Sequence, residues 1–316
     1  MRQKVYNTIS DINMNKSGIE EKAVTIGTFD GVHRGHVAVL DTLKKEASGR
    51  GLLPVAITFD RHPLELIAPE RAPGALMSAV RKSELIRSEG VTPLVLPFTE
   101  ELRAMSAFEW MRHIHRKHAV RMLVVGYDNT FGHDGVDLSI ADYRAMGDAV
   151  GIDIAVAPEV DGVSSSAVRK AVRAGDILQA TSLLGHRPET QGRVVAGFHV
   201  GTGIGFPTAN LQVASRLLLP PVGVYAALAF VDDTMTAVPA MVNIGYRPTF
   251  SGGADSVHKT VEAHLIGVDE DLYGKDVRLE FIDRLRDERK FSSVGALVEQ
   301  LARDRDATIR LAQEKS

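Results

Sequence analysis

The chain has 316 residues, of which 44% are hydrophobic and 24% are charged, and its formal net charge is −3. This composition is typical of a globular protein of about two domains, and the small negative charge predicts no nucleic-acid partner and no attraction to anionic membranes. The absence of cysteine excludes disulfides, a thiolate nucleophile and cysteine-ligated metal centres.

The first half of the chain alternates apolar runs with amphipathic segments. Helical spacing is clear after the first run, where Val37, Leu40 and Leu43 share one face. Because apolar strands separated by helices are typical of a doubly wound parallel sheet, we expect an α/β domain. Strands are predicted within 22–29, 53–59, 92–98, 121–127 and 152–158, and helical segments within 34–51, 78–90, 106–118, 139–151 and 163–185.

The second half, from about Glu189, consists of strand-like segments separated by turns. This pattern predicts a small antiparallel β-barrel, followed by a terminal helix that begins after Ser292 or Ser293. We therefore place the domain boundary so that the domains are 1–186 and 187–316. The barrel strands are predicted within 192–198, 222–231, 238–246, 260–268 and 275–286.

The longest apolar run, residues 217–231, does not predict a membrane span. Pro220, Pro221 and Gly223 interrupt it, and it is shorter than the roughly 18 residues that a spanning helix needs. We expect a turn that leads into a buried strand. Residues 1–22 also lack the apolar core of a signal peptide, so we expect a cytoplasmic protein without a membrane partner. Nothing in the sequence fixes an oligomeric state.

The stretch "GTFDGVHRGH" (27–36) lies between the first strand and the first helix, where parallel sheets bind ligands. If the helix begins near Arg34, His33 and His36 can face one ligand at its positive end. Two imidazoles there can stabilise charge on an α-phosphate and on departing pyrophosphate. The alternatives are a polar surface turn or a zinc site, and nothing nearby supplies the other zinc ligands. The nucleotide-binding candidates in this stretch are Gly27, Phe29, Gly31 and Gly35.

Two further segments of the first half are candidates for the same chemistry. In "SSSAVR" (164–169), Ser164 and Ser165 are either helix caps or phosphate donors, and the planar guanidinium of Arg169 suits a triphosphate. The loop at 125–135, with Asp128, is either a wall of the pocket or a structural turn.

These motifs resemble a known family. "GTFDGVHRGH", "TFDRHPLE", "GYDNTFG" and "SSSAVR" occur in the order found in the N-terminal module of bifunctional prokaryotic riboflavin kinase/FMN adenylyltransferases, also called FAD synthetases. The resemblance implies transfer of an adenylyl group from ATP to FMN. It implies catalytic roles for His33 and His36, and a flavin contact for Asp128.

The stretch "GTGIGFPTAN" (201–210) is the second glycine-rich loop. Its spacing is not that of a dinucleotide fingerprint, and a proline follows almost at once. Glycine amides can approach phosphates, and the oxygens of Thr208 and Asn210 suit Mg²⁺. The loop therefore predicts a second ATP site. Its backbone candidates are Gly201, Gly203 and Gly205.

The rest of the chain resembles the riboflavin kinase module of the same family, through "GFPTAN", "NIGYRPTF", "VEAHL", "DLYG" and "RLRDERKF". The resemblance implies that Glu262 is the general base for the 5′-hydroxyl of riboflavin, and that Asn243 and Thr249 contact flavin. Without it, Glu262 would be interpreted as an outward-facing acid on an alternating strand. Thr202 departs from the family, which commonly has arginine there.

The sequence thus predicts a two-step flavin enzyme. Riboflavin and ATP give FMN and ADP at the barrel, and FMN and a second ATP give FAD and pyrophosphate at the α/β domain, both with Mg²⁺. Two rivals are a nucleotidylyltransferase for another acceptor with a non-catalytic barrel, and a non-enzymatic protein that binds flavin or RNA.

Overall fold

The computed structural model describes residues 20–127, 131–197, 202–232, 234–247 and 258–314. The chain divides into two compact units, one ending at Ser164 and the other beginning at Ser165. Three of the predicted site residues, Asp128, Gly201 and Thr249, lie outside the described residues.

The first unit is built on a parallel sheet. Strands β1 to β5 cover Lys22–Ile26, Leu53–Phe59, Thr92–Leu96, Val120–Val125 and Asp153–Val156. They pair in the order β3-β2-β1-β4-β5, all parallel, so that β1 is central. All five residues of β1 are buried, because helices cover both faces of the sheet. The predicted α/β architecture is confirmed.

The described residues of this unit form six α-helices. Helices α1 to α6 cover Arg34–Ser48, Pro63–Ile67, Ala79–Ser88, Glu100–Arg103, Ala107–His118 and Ile140–Val150. Val24 packs in one apolar cluster with Trp110 of α5, whereas its neighbour Ala23 packs in another with Leu40 of α1. This alternation places α1 and α5 on opposite faces of the sheet. The short helices α2 and α4 carry too few residues for a periodic signal and were not predicted.

The second unit begins with two helices, α7 (Ser165–Ala174) and α8 (Ile177–Leu184). The sequence predicted helical structure throughout 163–185, but the chain breaks between them. Gly175 adopts a left-handed φ of 75°, and the Asp176 carboxylate accepts a hydrogen bond from the Gln179 amide at 2.9 Å to begin α8. A glycine followed by a capping residue therefore outweighs the continuous apolar periodicity.

A closed antiparallel barrel follows, as predicted. Strands β6 to β11 cover Glu189–Val195, Ala209–Val213, Gly223–Val231, Val238–Arg247, His258–Leu265 and Asp276–Arg286. Their order is β10-β7-β6-β11-β8-β9, and β9 closes on β10. The run that could have suggested a membrane segment contains β8, whose first seven residues are buried. The strand β7 was not among the predicted strands.

The terminal helix α9 covers Val294–Glu314. The predicted cap at Ser293 is confirmed, since its Oγ accepts a hydrogen bond from the Ala296 amide at 3.1 Å. Ala312 of α9 packs against Ala226 and Ile282 of the barrel. An ion pair between Arg286 at the end of β11 and the buried Asp304, at 2.8 Å, fixes the same helix to the barrel.

Candidate active sites

The loop between β1 and α1 has an unusual backbone. Phe29 and Val32 have left-handed φ angles of 48° and 39°, and Gly31 lies between them at 86°. Residues that carry a side chain rarely adopt this backbone conformation, and a β-branched residue such as valine does so least readily. Both side chains are only 2% exposed, so core packing holds the backbone in place. Strain of this kind is concentrated at functional sites, which agrees with the functional interpretation of the loop.

Hydrogen bonds from outside the loop support this conformation. The Lys82 ammonium, on α3, donates to the carbonyl oxygens of Thr28 and Phe59, each at 2.8 Å. Thr58 Oγ1 donates to the same Thr28 oxygen at 3.0 Å. The Asp30 carboxylate accepts the Leu76 amide at 2.9 Å. The loop is therefore anchored to β2 and to the start of α3.

Sequence reasoning missed Lys82. Its side chain is buried, at 8% exposure, in a helix that also buries Ile86 four residues later. A lysine one turn before a buried isoleucine is the signal that could have identified it, since buried ammonium groups need acceptors.

His33 and His36 lie together at the start of α1, which begins at Arg34 as predicted. The two rings stack with centroids 3.6 Å apart, and His33 Nδ1 accepts the His36 amide hydrogen at 3.3 Å. The Phe29 ring lies 5.0 Å from the His36 ring. A side chain on Gly35 would contact the His33 ring at 3.2 Å, which explains a small residue between the two histidines.

The charge state of His36 follows from its surroundings. Burial, followed by the nearby His33 and Lys82, holds the pKa of His36 well below its usual value of 6.5. Its Nδ1 is enclosed and has no hydrogen-bond partner among the described residues. At neutral pH the imidazole is therefore neutral, and it can donate a hydrogen bond from one nitrogen to a phosphate oxygen.

Ser164, Ser165 and Arg169 are the other residues that the sequence predicted for the first site. The carbonyl of Val163 lies 3.6 Å from where a Cβ on Gly35 would be, so the residue before Ser164 runs alongside α1. Ser165 is the first residue of α7, and Arg169 is buried within that helix. Their contacts with ATP stay a prediction.

The described part of the 125–135 loop has a structural role. Asp134 accepts the Ala107 amide at 2.7 Å, and a Cβ on Gly132 would lie 2.3 Å from the same nitrogen. This end of the loop is fixed against the start of α5, which favours the structural alternative for these two residues.

The barrel brings together three predicted residues that are distant in sequence. Glu262 on β10 is paired in register with Asn210 on β7 and with Asn243 on β9. Residues opposite each other in antiparallel strands share a face, so the three side chains form one row. Each is half-buried and alternates with buried core residues, which puts the row on the outer surface of the barrel. Glu262 is thus outward-facing, and it stands between two amides.

A cavity of about 250 Å³ opens beside this row. Thr208 and Asn210 both line it, since residues two apart in an extended segment project to the same side. The loop that contains the "DLYG" motif supplies Asp269, Glu270 and Asp271 to the same cavity. Hydroxyl and amide oxygens are hard donors of the kind that Mg²⁺ accepts, so Thr208 and Asn210 fit the metal. The acidic residues of the lining do not add a ready-made site, since no group of three acidic, histidine or cysteine side chains among the described residues is placed to hold an ion.

Two further residues support the Thr208–Asn210 segment and were missed by sequence reasoning. His264 Nδ1 lies 2.7 Å from the carbonyl oxygen of Pro207, directly before Thr208, and its ring packs against Phe206. Gly197 lines the cavity against the side chain of Asn210. The signal for His264 was its position two residues after Glu262, on the same face of β10.

The glycine-rich loop is described from Thr202 onward. Residues 202–204 form a turn of 3₁₀-helix, and Gly205 has a left-handed φ of 81°. A Cβ at Gly203 or Gly205 would meet no atom within 4 Å. The space beside these two glycines is therefore open, and a contact of the loop with phosphate stays a prediction.

In the comparison with known proteins, the two halves of the chain match two different family models. The model for FAD synthetase matches residues 15–169, and the model for riboflavin kinase matches residues 184–312. In the part of the chain that the structure describes, no helix is long and apolar enough to cross a membrane.

Curated relatives match over almost their whole length. A bifunctional riboflavin kinase/FMN adenylyltransferase of Escherichia coli K12 is 36% identical, with 92% of this chain and 93% of the relative covered. The protein of the same name from Pseudomonas fluorescens is 37% identical, with 91% and 92% covered. A solved Streptococcus pneumoniae structure, titled as a macrolide-efflux protein, superimposes with a TM-score of 0.81 at 29% identity, covering 95% of this chain and 96% of that chain.

Proposed function

Since the chain belongs to the bifunctional riboflavin kinase/FMN adenylyltransferase family, we propose that its two reactions use two separate sets of side chains. The C-terminal domain converts riboflavin and ATP into FMN and ADP, and the N-terminal domain converts FMN and ATP into FAD and pyrophosphate. The alternative hypothesis, a nucleotidylyltransferase for another acceptor with a non-catalytic barrel, is therefore not supported. The proposal concerns which residues act, where the domains divide and which metal assists.

The row of Asn210, Glu262 and Asn243 is the observation that carries the kinase assignment. The Glu262 carboxylate accepts the proton of the riboflavin 5′-hydroxyl as its oxygen attacks the γ-phosphorus of ATP, and ADP leaves. Asn243, and by family resemblance Thr249, orient the flavin. Gly201, Gly203 and Gly205 present backbone amides to the phosphates.

Mg²⁺ is the metal that we propose for the kinase reaction. Thr208 and Asn210 would hold it through their side-chain oxygens, at the cavity that they line. When bound, it neutralises the charge of the ATP phosphates. The support for this assignment is the set of hard oxygen donors described above.

For adenylyl transfer, we propose that His33 and His36 donate hydrogen bonds to the phosphates of ATP. Their stacking and the neutral state of His36 support this role. Charge develops on the α-phosphate and on pyrophosphate as FMN attacks, so donors that are fixed beforehand stabilise the transition state. By family resemblance, Ser164, Ser165 and Arg169 bind further phosphate oxygens, and Asp128 contacts the flavin. Gly27, Phe29, Gly31 and Gly35 shape the loop.

The domain boundary and the location in the cell also stay proposals. The compact units divide at Ser164, and the family models end and begin at 169 and 184. We propose that the catalytic domains are 1–186 and 187–316. This division would assign α7 and α8 to the adenylyltransferase domain. The absence of cysteine supports a reducing cytoplasm.

Separation of flavins by chromatography tests the two-site assignment. The native chain, given riboflavin, ATP and Mg²⁺, should form FMN and FAD. Glu262→Gln should lose FMN formation and still convert supplied FMN into FAD, whereas His36→Ala should do the reverse. Glu299→Gln, an exposed acid on α9, and His113→Ala on α5 are the matched controls. If both site variants remain folded and lose both activities, the assignment is wrong.

A further inference from the structure

Gly197 and Asn210 are in direct steric contact. A Cβ added at Gly197 would lie 1.9 Å from Asn210 Nδ2, 2.6 Å from its Cγ and 3.1 Å from its Oδ1. Two of these distances are far below any van der Waals contact between a methyl group and an amide. The side-chain amide of Asn210 therefore occupies the space that any other residue at position 197 would fill.

The backbone gives no other reason for glycine at this position. Gly197 is not among the glycines with a left-handed φ, so an alanine there has no conformational penalty of its own. It lies two residues beyond the end of β6, and the cavity beside Thr208 opens next to it. The requirement for glycine comes from the Asn210 side chain.

The Asn210 backbone cannot yield to such a clash. Asn210 is held in register between Val195 on β6 and Glu262 on β10, so both of its neighbouring strands fix its main chain. A methyl group at position 197 would instead rotate the amide into another rotamer. The amide would then leave its present position at the cavity that Asn210 and Thr208 line.

We propose that Gly197 is a positioning residue for the kinase reaction, because its missing side chain keeps the Asn210 amide aimed at the phosphate-transfer site. The inference rests on the proposed role of Asn210. Gly197 lines the same cavity but has no side chain to offer a ligand, so in this proposal it acts through the orientation of its neighbour.

Gly197→Ala in the full chain is the first test. Riboflavin phosphorylation should fall by about tenfold or more, and the Mg²⁺ concentration for half-maximal rate should rise, because a misplaced ligand weakens the metal site. Conversion of supplied FMN into FAD should be unchanged. Gly295→Ala is the matched control, since a Cβ there meets only Ser293 Oγ at 3.8 Å. Wild-type kinase rate and Mg²⁺ dependence in Gly197→Ala would overturn the proposal.

A double-mutant cycle with Asn210→Ala identifies the mechanism. If Gly197 acts through Asn210, adding Gly197→Ala to Asn210→Ala should change neither the kinase rate nor the melting temperature, because the clash partner is gone. The same comparison covers the case in which Gly197→Ala alone folds poorly. If the clash with Asn210 is the cause, the melting temperature should recover in the double variant.

Two outcomes contradict the inference in different ways. An equal loss from Gly197→Ala with and without Asn210 would show that Gly197 acts independently, and would overturn this proposal alone. Wild-type kinase activity in Asn210→Ala would remove the proposed role of Asn210, and the inference with it. Absence of FMN formation by the native chain would instead contradict the assigned reaction.

Discussion

The ammonium group of Lys82 donates a hydrogen bond of 2.8 Å to the carbonyl oxygen of Thr28, although 53 residues separate them in the chain. The same group bonds the last carbonyl of β2, at Phe59. One buried side chain thus joins the ends of two adjacent parallel strands, at the edge where the loop with His33 and His36 begins. It also lowers the pKa of His36 through its charge.

Lys82→Met should therefore impair adenylyl transfer. The variant keeps the length of the side chain but leaves two carbonyls without this donor, and we expect a loss of about 1–3 kcal/mol in the free energy of unfolding. FAD formation from FMN should fall by about tenfold, with riboflavin phosphorylation unchanged. The pKa of His36, followed by NMR, should rise because a nearby positive charge is gone.

The exposed Lys45→Met on α1 is the control for Lys82→Met. An unchanged His36 titration together with a native rate of FAD formation would contradict the role of Lys82.

His264 should contribute to the kinase reaction through Pro207. Its Nδ1 contact holds the peptide group before Thr208, and the ring is on the surface, so its loss should not unfold the barrel. We expect His264→Ala to reduce riboflavin phosphorylation by about three- to tenfold, the effect of one hydrogen bond. His264→Asn places an amide donor near the original Nδ1 and should restore most of the rate. Equal rates in both variants and the native chain would refute the prediction.

Stability should decrease as the pH falls below about 6.5, the usual pKa of an unfolded histidine. Burial, with His113, Lys117 and Lys22 nearby, lowers the pKa of His118 to about 4, and the pKa of His36 is also well below 6.5. Between these values the unfolded chain binds protons that the folded chain does not. Stability is therefore complete above pH 6.5 and is lost progressively towards pH 4.

Denaturant unfolding between pH 7.5 and 5.5 measures this dependence. The slope of the unfolding free energy against pH should be smaller in His118→Gln than in the native chain, whatever the absolute stability of the variant. A native slope in His118→Gln would show that His118 is not responsible.

Gly147→Ala should destabilise the first unit although alanine favours helices. A Cβ at this position in α6 would lie 2.4 Å from the Ile152 carbonyl oxygen and 2.8 Å from Ile154 Cγ1. The segment at the start of β5 approaches the helix so closely that only glycine fits at position 147. We expect Gly147→Ala to lower the free energy of unfolding by roughly 2–4 kcal/mol. Gly295→Ala in α9, where a Cβ would make only an ordinary contact of 3.8 Å with Ser293 Oγ, should be neutral or slightly stabilising. Thermal melting of the two variants measures the contrast.

Local patterns were sufficient for most of the fold. The start of α1 at Arg34 and the cap at Ser293 depend on short-range hydrogen bonds, and apolar runs located the described strands of both units apart from β7. Elements of four or five residues, such as α2 and α4, give no periodicity, and the break at Gly175 contradicts the apolar pattern around it. These features escaped prediction because local chemistry and tertiary contacts outweigh periodicity over so few residues.

The sequence by itself determined the family and the two reactions of this protein, because the motifs that carry the resemblance, such as "GTFDGVHRGH" and "GFPTAN", are contiguous in the chain. Only the tertiary structure decided which residues support that chemistry. Lys82 reaches Thr28, Gly197 makes room for Asn210, and Glu262 stands between Asn210 and Asn243. Such pairings arise from strand register and helix packing between segments that are distant in sequence, so no local pattern contains them.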